Sequence, residues 1–405
     1  MKALWALVAV ALAVAAAPVA ARAEGSGKIK IGVLSDMSGA YADVVGEGSV
    51  AAAKLAVEDA GGSVLGMPVE VISADMQNKP DVASSIARQW FDTEDVDVLT
   101  GGGASSSALA MQEVAKEKKH IYLITDAASS DLTGKACSPF GIQFVYDTYS
   151  LANGTARALI KQGGDTWFFL TVDYAFGQAM EADASRFVTA AGGKVLGSVR
   201  HPLGAADLSS FLLQAQASKA KVIGLANASS DTANSVKQAA EFGIPQSGQK
   251  LAALLMMITN VESLGLPVAQ GLTLTESFYW DLNDKTRAFT KRFQAAYKPE
   301  RVPTMTQAGS YAAVFHYLKA VKAAGSKDPE KVVAKMKELP VDDMYNDNVK
   351  IRADGRVLHK MYLEQVKSPE ESKYPHDDYK ILASTPGQEA YRPLADGNCP
   401  FVKSQ

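Results

Sequence analysis

The chain has little of what metal-dependent, nucleotide-dependent or nucleic-acid-binding proteins need. Its 405 residues include two cysteines and five histidines. No pair among His120, His201, His316, His359 and His376 has metal-ligand spacing, so neither a metal nor another cofactor is expected. There is no phosphate loop of the Gly-x-x-x-x-Gly-Lys-Ser/Thr kind and no Gly-x-Ser-x-Gly nucleophile elbow. Gly101 to Gly103 fall short of a dinucleotide fingerprint, because Ser106 stands where its third glycine belongs. Basic residues number 41 against 44 acidic ones, without a basic tract, which excludes nucleic acid as a partner. After the first two dozen residues no apolar run approaches the roughly 20 residues that cross a membrane.

Residues 1–23 read as a cleavable signal peptide. Lys2 supplies the positive start, Leu4 to Ala17 the apolar stretch, and Ala21-Arg22-Ala23 the small-residue cleavage site. The remaining chain would carry 39 basic and 44 acidic residues, a net charge of about −5. In an oxidising compartment Cys137 and Cys399 are expected to form a disulfide that pins the C-terminal tail.

In chain order, apolar runs ending in polar or glycine-bearing loops alternate with helical patterns. Strands are expected at 28–36, 69–74, 96–100 and 120–125, with helices at 48–60, 81–92 and 108–119. This repeat implies a parallel sheet covered by helices. A second series runs from a helix at 147–162 through strands at 166–172, 193–200, 222–226, 251–257 and 271–278. Helices at 284–296, 306–324 and 329–337 follow, then a late hairpin of 349–353 with 360–366 turning at Asp354-Gly355. Residues 368–405 read as a tail. The fold class is therefore α/β, with two doubly wound parallel-sheet lobes.

Ligands of such sheets lie off the carboxyl ends of the strands. Here those ends carry Ser35 to Tyr41, Asp75 to Asn78, Gly101 to Ser107 and Asp126 to Ser130, all small or polar. The stretch Val98-Leu-Thr-Gly-Gly-Gly-Ala-Ser-Ser-Ser107 organises the rest. Its glycines allow a tight turn, and its serines open a helix whose first N–H groups have no partner. Capping alone would explain one such serine cluster, but a carboxylate is equally suited to the free N–H groups and the helix dipole. Tyr41, Tyr174, Phe176 and Tyr279 fall at loop ends where a cleft would be walled.

Five segments in this order carry a resemblance: Ile31-Gly-Val-Leu-Ser-Asp-Met-Ser-Gly39, Gly101 to Ser107, Leu123-Ile-Thr-Asp-Ala-Ala-Ser129, Asp173-Tyr-Ala-Phe-Gly177 and Gln238-Ala-Ala-Glu-Phe-Gly243. From Ile29 to about Val366 the chain resembles the periplasmic solute-binding proteins of ABC transporters in the leucine/isoleucine/valine-binding (type I) family. The resemblance implies a three-strand hinge between lobe one (28–146 and 279–348) and lobe two (147–278 and 349–405). It implies hinge closure on a small ligand, delivery to an inner-membrane permease, and no chemistry. It also implies a monomer in the periplasm of a Gram-negative bacterium.

Family site positions carry over residue by residue. Ser105, with Ser106 beside it, matches the serine that holds the ligand carboxylate, and Ala127 and Ser129 match the carbonyl and hydroxyl after the next strand. Phe176 matches the aromatic of the second lobe without its hydroxyl; Asn227 falls where the family has another aromatic. Tyr41, Phe176, Met256 and Tyr279 would wall the body of the ligand. Amino-acid binders of this family place an acid after the strand at 251–255, where this chain has Met256-Met257. An unpaired buried ammonium costs several kcal/mol, which disfavours α-amino acids and favours a carboxylate with an apolar or aromatic body. Asp126 or Asp231 could replace the missing acid, which keeps branched-chain or other hydrophobic amino acids and amides as the alternative. A ligand sensor of the same fold without a transport role is a further possibility, and an exported hydrolase a third.

Overall fold

A computed structural model describes residues 27–402. The signal-peptide expectation lies outside the described residues. The first lobe is built from β1 (Ile29–Ser35), α1 (Gly46–Asp59), β2 (Ser63–Val64), β3 (Met67–Asp75), α2 (Pro80–Thr93), β4 (Val98–Gly101), α3 (Ser105–Lys118), β5 (Ile121–Ile124) and β6 (Gly141–Gln143). Its sheet has the order β2-β3-β1-β4-β5-β6, parallel except for the short β2. Buried Ile29, Ile31, Val33 and Leu34 make β1 apolar on both faces, as a strand covered by helices on each side requires.

The second lobe contains α4 (Thr148–Lys161), β7 (Thr166–Val172), α5 (Ala175–Ala190), β8 (Lys194–His201), α6 (Ser209–Ala217), β9 (Val222–Ala226), α7 (Ser230–Glu241), β10 (Lys250–Ala253), α8 (Ile258–Leu264), α9 (Leu266–Ala269) and β11 (Thr273–Glu276). Strands β10-β9-β7-β8 form a wholly parallel sheet. The chain then returns to the first lobe with α10 (Asp284–Ala296), α11 (Met305–Ala324) and α12 (Pro329–Glu338), and α11 packs along α1. It ends with β12 (Met361–Val366), β13 (Tyr379–Thr385) and α13 (Gly387–Ala390). Three crossovers thus join the lobes, at 144–147, 277–283 and between α12 and β12. Among the described residues no helix is long and apolar enough to cross a membrane.

Four local expectations need correction. The late hairpin is made by β12 with β13, and β12 also pairs antiparallel with β11. The turn at Asp354-Gly355 closes only a single bridge between Ile351 and Val357. The segment 368–405 contains β13 and is not merely a tail. The expected strand at 251–257 ends at Ala253, and Met257 instead precedes α8. Residues 349–357 lie with lobe one rather than lobe two: Val349 pairs with Val341, and Arg356 bridges to Gln143 beside the edge of the first sheet.

Cys137 and Cys399 are bonded, with Cα atoms 5.6 Å apart. On its way to that bond the tail touches both lobes. Asn153 of α4 donates to the carbonyls of Glu389 (2.8 Å) and Ala390 (3.1 Å), and Arg392 donates to the Ser130 carbonyl of lobe one at 2.9 Å.

Candidate functional site

The carboxyl ends of β1, β4 and β5 face those of β7, β9 and β10 across a narrow cavity with room for little more than a water molecule. Lobe one contributes Tyr41, Val44, Val45, Gly103, Ser105, Asp126 and Ala128, and Tyr146 enters from the first crossover. Lobe two contributes Tyr174, Phe176, Ala228, Ser229, Leu255, Met257 and Asn260. The walls are mainly aromatic and aliphatic, with a few polar groups, as small-molecule sites are. The cavity is narrow, and the Tyr41 and Tyr174 hydroxyls meet across it at 2.6 Å, so the lobes must part to admit a ligand.

The glycine turn is forced by what surrounds it. Gly101 has φ of +112°, and a Cβ there would stand 2.3 Å from the Leu34 carbonyl oxygen. Only glycine fits, and the turn sets Gly103 and Ser105 on the wall. Asp36 organises the neighbouring loops. Its carboxylate accepts from the backbone N–H groups of Gly39 (2.8 Å) and Tyr41 (2.9 Å) and from the Asn78 amide. The Asn78 carbonyl oxygen in turn accepts from Ala104 N–H at 2.9 Å, which links Tyr41 to the start of α3.

Helix starts converge on the cavity without side-chain caps. Val45, Ala104, Tyr174 and Ser229 precede α1, α3, α5 and α7, and none makes a capping hydrogen bond. Elsewhere α10, α11 and α12 are capped by Asn283, Thr304 and Asp328, α4 is capped by Asp147 beside the wall residue Tyr146, and α2 and α6 also lack a side-chain cap. The uncapped starts at the cavity leave N–H donors and positive dipole ends directed toward the same space, an arrangement suited to an anion. Ser105 Oγ accepts from Ser129 N–H at 3.1 Å and keeps its own proton free to donate. The Asn260 carbonyl oxygen accepts from Met257 N–H at 3.1 Å, which turns its amide toward the wall.

Asp126 is buried, and burial is the main cause that pushes its carboxyl up to about 6, with the nearby Asp36 charge adding to it. Ser35 (2.5 Å), Thr125 (3.2 Å) and Gly103 N–H oppose that shift by donating to the carboxylate. The folded chain therefore holds this proton more tightly than the unfolded chain. Its contribution to stability is complete below about pH 4 and is lost as pH rises through about 6, on the order of 2–3 kcal/mol. Urea unfolding between pH 4.5 and 7.5 should show this decline, and Asp126→Asn should make it shallower, the remainder coming from Asp231, Asp343 and Asp378, which burial pushes up in the same way. Parallel pH profiles would refute the assignment.

Of the residues singled out from sequence, the structure brings Tyr41, Ser105, Asp126, Tyr174 and Phe176 together on the wall. It places six others elsewhere. Ser106 is half-buried in the first turn of α3 and off the cavity. The Ala127 carbonyl is taken by the Gln143 amide at 2.8 Å, and Ala128 lines the wall instead. Ser129 Oγ accepts from Asp131 N–H at 3.3 Å. Asn227 is buried inside lobe two, where it bonds His201, Ser235 and Thr232, each at 3.0 Å. Met256 packs in a cluster with Leu274 and Tyr379, and Met257 faces the cavity in its place. Tyr279 belongs to that same cluster and donates its hydroxyl to the His376 carbonyl at 3.1 Å. Sequence reasoning missed Tyr146, Ser229, Met257 and Asn260. For Tyr146 the signal was available, since a crossover between lobes must pass the cleft.

The family model described as periplasmic binding protein matches residues 28–373. A periplasmic binding protein from Burkholderia mallei is 50% identical, with TM-score 0.91 over 94% of this chain and 100% of that one. A branched chain amino acid ABC transporter periplasmic ligand-binding protein from Burkholderia xenovorans LB400 is 44% identical, with TM-score 0.81 over 92% and 100%. A solute-binding protein of an ABC transporter from R. palustris, solved in complex with benzoate, shares the fold at 23% identity and TM-score 0.79, over 88% and 96%. Two parallel-sheet lobes meeting at one cavity, under a family match that spans most of the chain, mean that this protein belongs to the type I periplasmic binding proteins of ABC transporters, which bind their small-molecule cargo without transforming it.

Proposed function

We propose that this protein captures a small carboxylate with an aromatic or apolar body and, as a monomer in the periplasm, passes it to an inner-membrane ABC permease. The observation that carries the reading is the convergence of uncapped helix starts and the Ser105 hydroxyl on an otherwise aromatic and aliphatic cavity. Among the described residues Asp126 is the one acid lining the cavity, and three protein donors already occupy it. An ammonium would have to compete with them. The benzoate held by the R. palustris protein is the kind of ligand this reading describes.

Hydrophobic amino acids are the second reading. Asp126 on the wall favours it, as does the description of the B. xenovorans protein. A thermal-shift screen with benzoates, hydroxycinnamates, aliphatic acids, amides, leucine and phenylalanine separates the two. A ligand at a hundred times its Kd stabilises the protein by about 2.7 kcal/mol, which such a screen resolves. Shifts with aromatic acids alone support the first reading, and shifts with leucine or phenylalanine alone overturn it. With the ligand found, Ser105→Ala should weaken binding by about 1–3 kcal/mol, the loss of a hydrogen bond to a charged group. Unchanged affinity in titration calorimetry would remove Ser105 from the site.

A further inference from the structure

On the lobe-two side of the cavity, two polar wall residues carry protons that no group among the described residues accepts. Asn260 and Ser229 both line the cavity, and each is only 5% exposed. The Asn260 amide has one orientation, because the backbone N–H it meets can only donate. Its oxygen accepts from Met257 N–H at 3.1 Å, and its NH2 group is left for the cavity. The Ser229 hydroxyl makes no capping bond to the start of α7. Its backbone sits at φ +51° and ψ −124°, which glycine adopts freely and serine only under strain. The two residues are held in one unit. The Thr232 hydroxyl, in the first turn of α7, lies 3.2 Å from the carbonyl oxygen of Leu255, on the loop that leads to Met257 and Asn260.

Acceptors on the same wall are already engaged. The carbonyls of Ala128, Ala228, Ser229 and Met257 accept from the N–H groups of Thr148 (2.7 Å), Asp231 (3.2 Å), Ala233 (3.0 Å) and Asn260 (2.9 Å). Asp126 is occupied by its own three donors. The cavity therefore presents donors from both lobes and few acceptors. Buried polar groups are almost always partnered, so donors of this kind on a ligand cavity point to acceptors on the ligand.

We infer that Asn260 Nδ2 and Ser229 Oγ are specificity-determining donors of lobe two, which select acids carrying a carbonyl oxygen beside the carboxylate. Resting on the carboxylate reading above, the inference narrows the cargo to 2-oxo acids with an apolar or aromatic body. The carboxylate lies at Ser105 and the start of α3, and the oxo group takes the two lobe-two donors. Because the cavity is narrow, donors of the two lobes face each other closely, which suits two acceptors on adjacent carbons. An ammonium only donates and a methylene does neither, so an amino acid or a plain acid leaves both donors unpaired. A second carboxylate would accept, but no lysine or arginine lines the cavity among the described residues to balance a second negative charge. Sites built to hydrogen-bond one ligand group discriminate strongly against analogues without it, because their own polar groups are then left unpaired.

The test is titration calorimetry of the mature protein with two matched sets. One holds 4-methyl-2-oxopentanoate, 4-methylpentanoate and leucine; the other holds phenylpyruvate, 3-phenylpropanoate and phenylalanine. In at least one set the oxo acid should bind about ten-fold or more tightly than the plain acid. Two variants remove the donors without removing local support. Ser229→Gly suits the backbone at φ +51°, and Asn260→Asp keeps an oxygen for Met257 N–H while losing the NH2 group. In each the ratio of oxo-acid to plain-acid affinity should fall toward one, and Asn260→Asp should also gain affinity for the amino acid. Taking the ratio within each variant makes it insensitive to any loss of folded fraction. Equal affinities for oxo and plain acids in both sets would overturn the role of Asn260 and Ser229 and leave the carboxylate reading standing. A preference that survives in both variants would also overturn it. If the amino acids bind while no acid does, both proposals fall.

Discussion

Arg356→Met should cost the folded protein about 3–5 kcal/mol, read as a lower urea midpoint. Arg356 is fully buried, and its guanidinium donates to the carbonyls of Gln143, Val145 and Val357. Asp147 lies 3.5 Å away, and the ring of Tyr391 lies 4.5 Å from the guanidinium carbon. One side chain thus ties the first crossover (144–147), the return segment and the C-terminal tail into one hinge body. Methionine keeps the bulk but takes the guanidinium donor from the Val145 and Val357 carbonyls, leaves Gln143 only its bond from Val357 N–H, and leaves Asp147 buried without its counter-charge. Arg356→Lys should recover only part of the loss, since a single ammonium cannot reach three carbonyls in different directions. A midpoint within about 0.5 kcal/mol of the parent for Arg356→Met would show that the hinge does not depend on this residue.

Opening the Cys137–Cys399 bond should destabilise the protein by about 2–5 kcal/mol, by reduction or by the double substitution to alanine. The bond closes a loop of 262 residues, so the unfolded chain gains much freedom when it is cut. The tail it anchors crosses from Asn153 in lobe two to Ser130 in lobe one. Losing the anchor should therefore also speed proteolysis after residue 386. Unfolding with and without reductant, followed by limited proteolysis, checks both. An unchanged midpoint with an intact tail would mean that Tyr391 and Arg392 hold the strap without covalent help.

Much of the fold was legible because its signals are local. Strand and helix periods, the glycine turn at 101–103 and the polar residues at strand ends are all written within a few residues of one another. They identified two parallel-sheet lobes and put Ser105, Asp126, Tyr41 and Phe176 near a cleft. The errors lie where a strand stops. Within β10 alternation sets which way a side chain points, but after Ala253 the chain leaves that period, and Met257 rather than Met256 meets the cavity. Ala128 rather than Ala127 lines the cavity for the same reason. The late hairpin failed differently: 360–366 was recognisable as a strand, but its partners Tyr379–Thr385 and Thr273–Glu276 are chosen by packing between distant segments.

By itself, then, the sequence determined the α/β class, the order of its elements, and the chemistry available at each strand end, because these follow from backbone and side-chain preferences of near neighbours. Tertiary structure alone decided which of those ends share one space. Tyr41 and Tyr174 are 133 residues apart in the chain yet 2.6 Å apart at their hydroxyls. No local pattern records that meeting. It arises when two independently wound sheets are brought face to face by crossovers that Arg356 holds together.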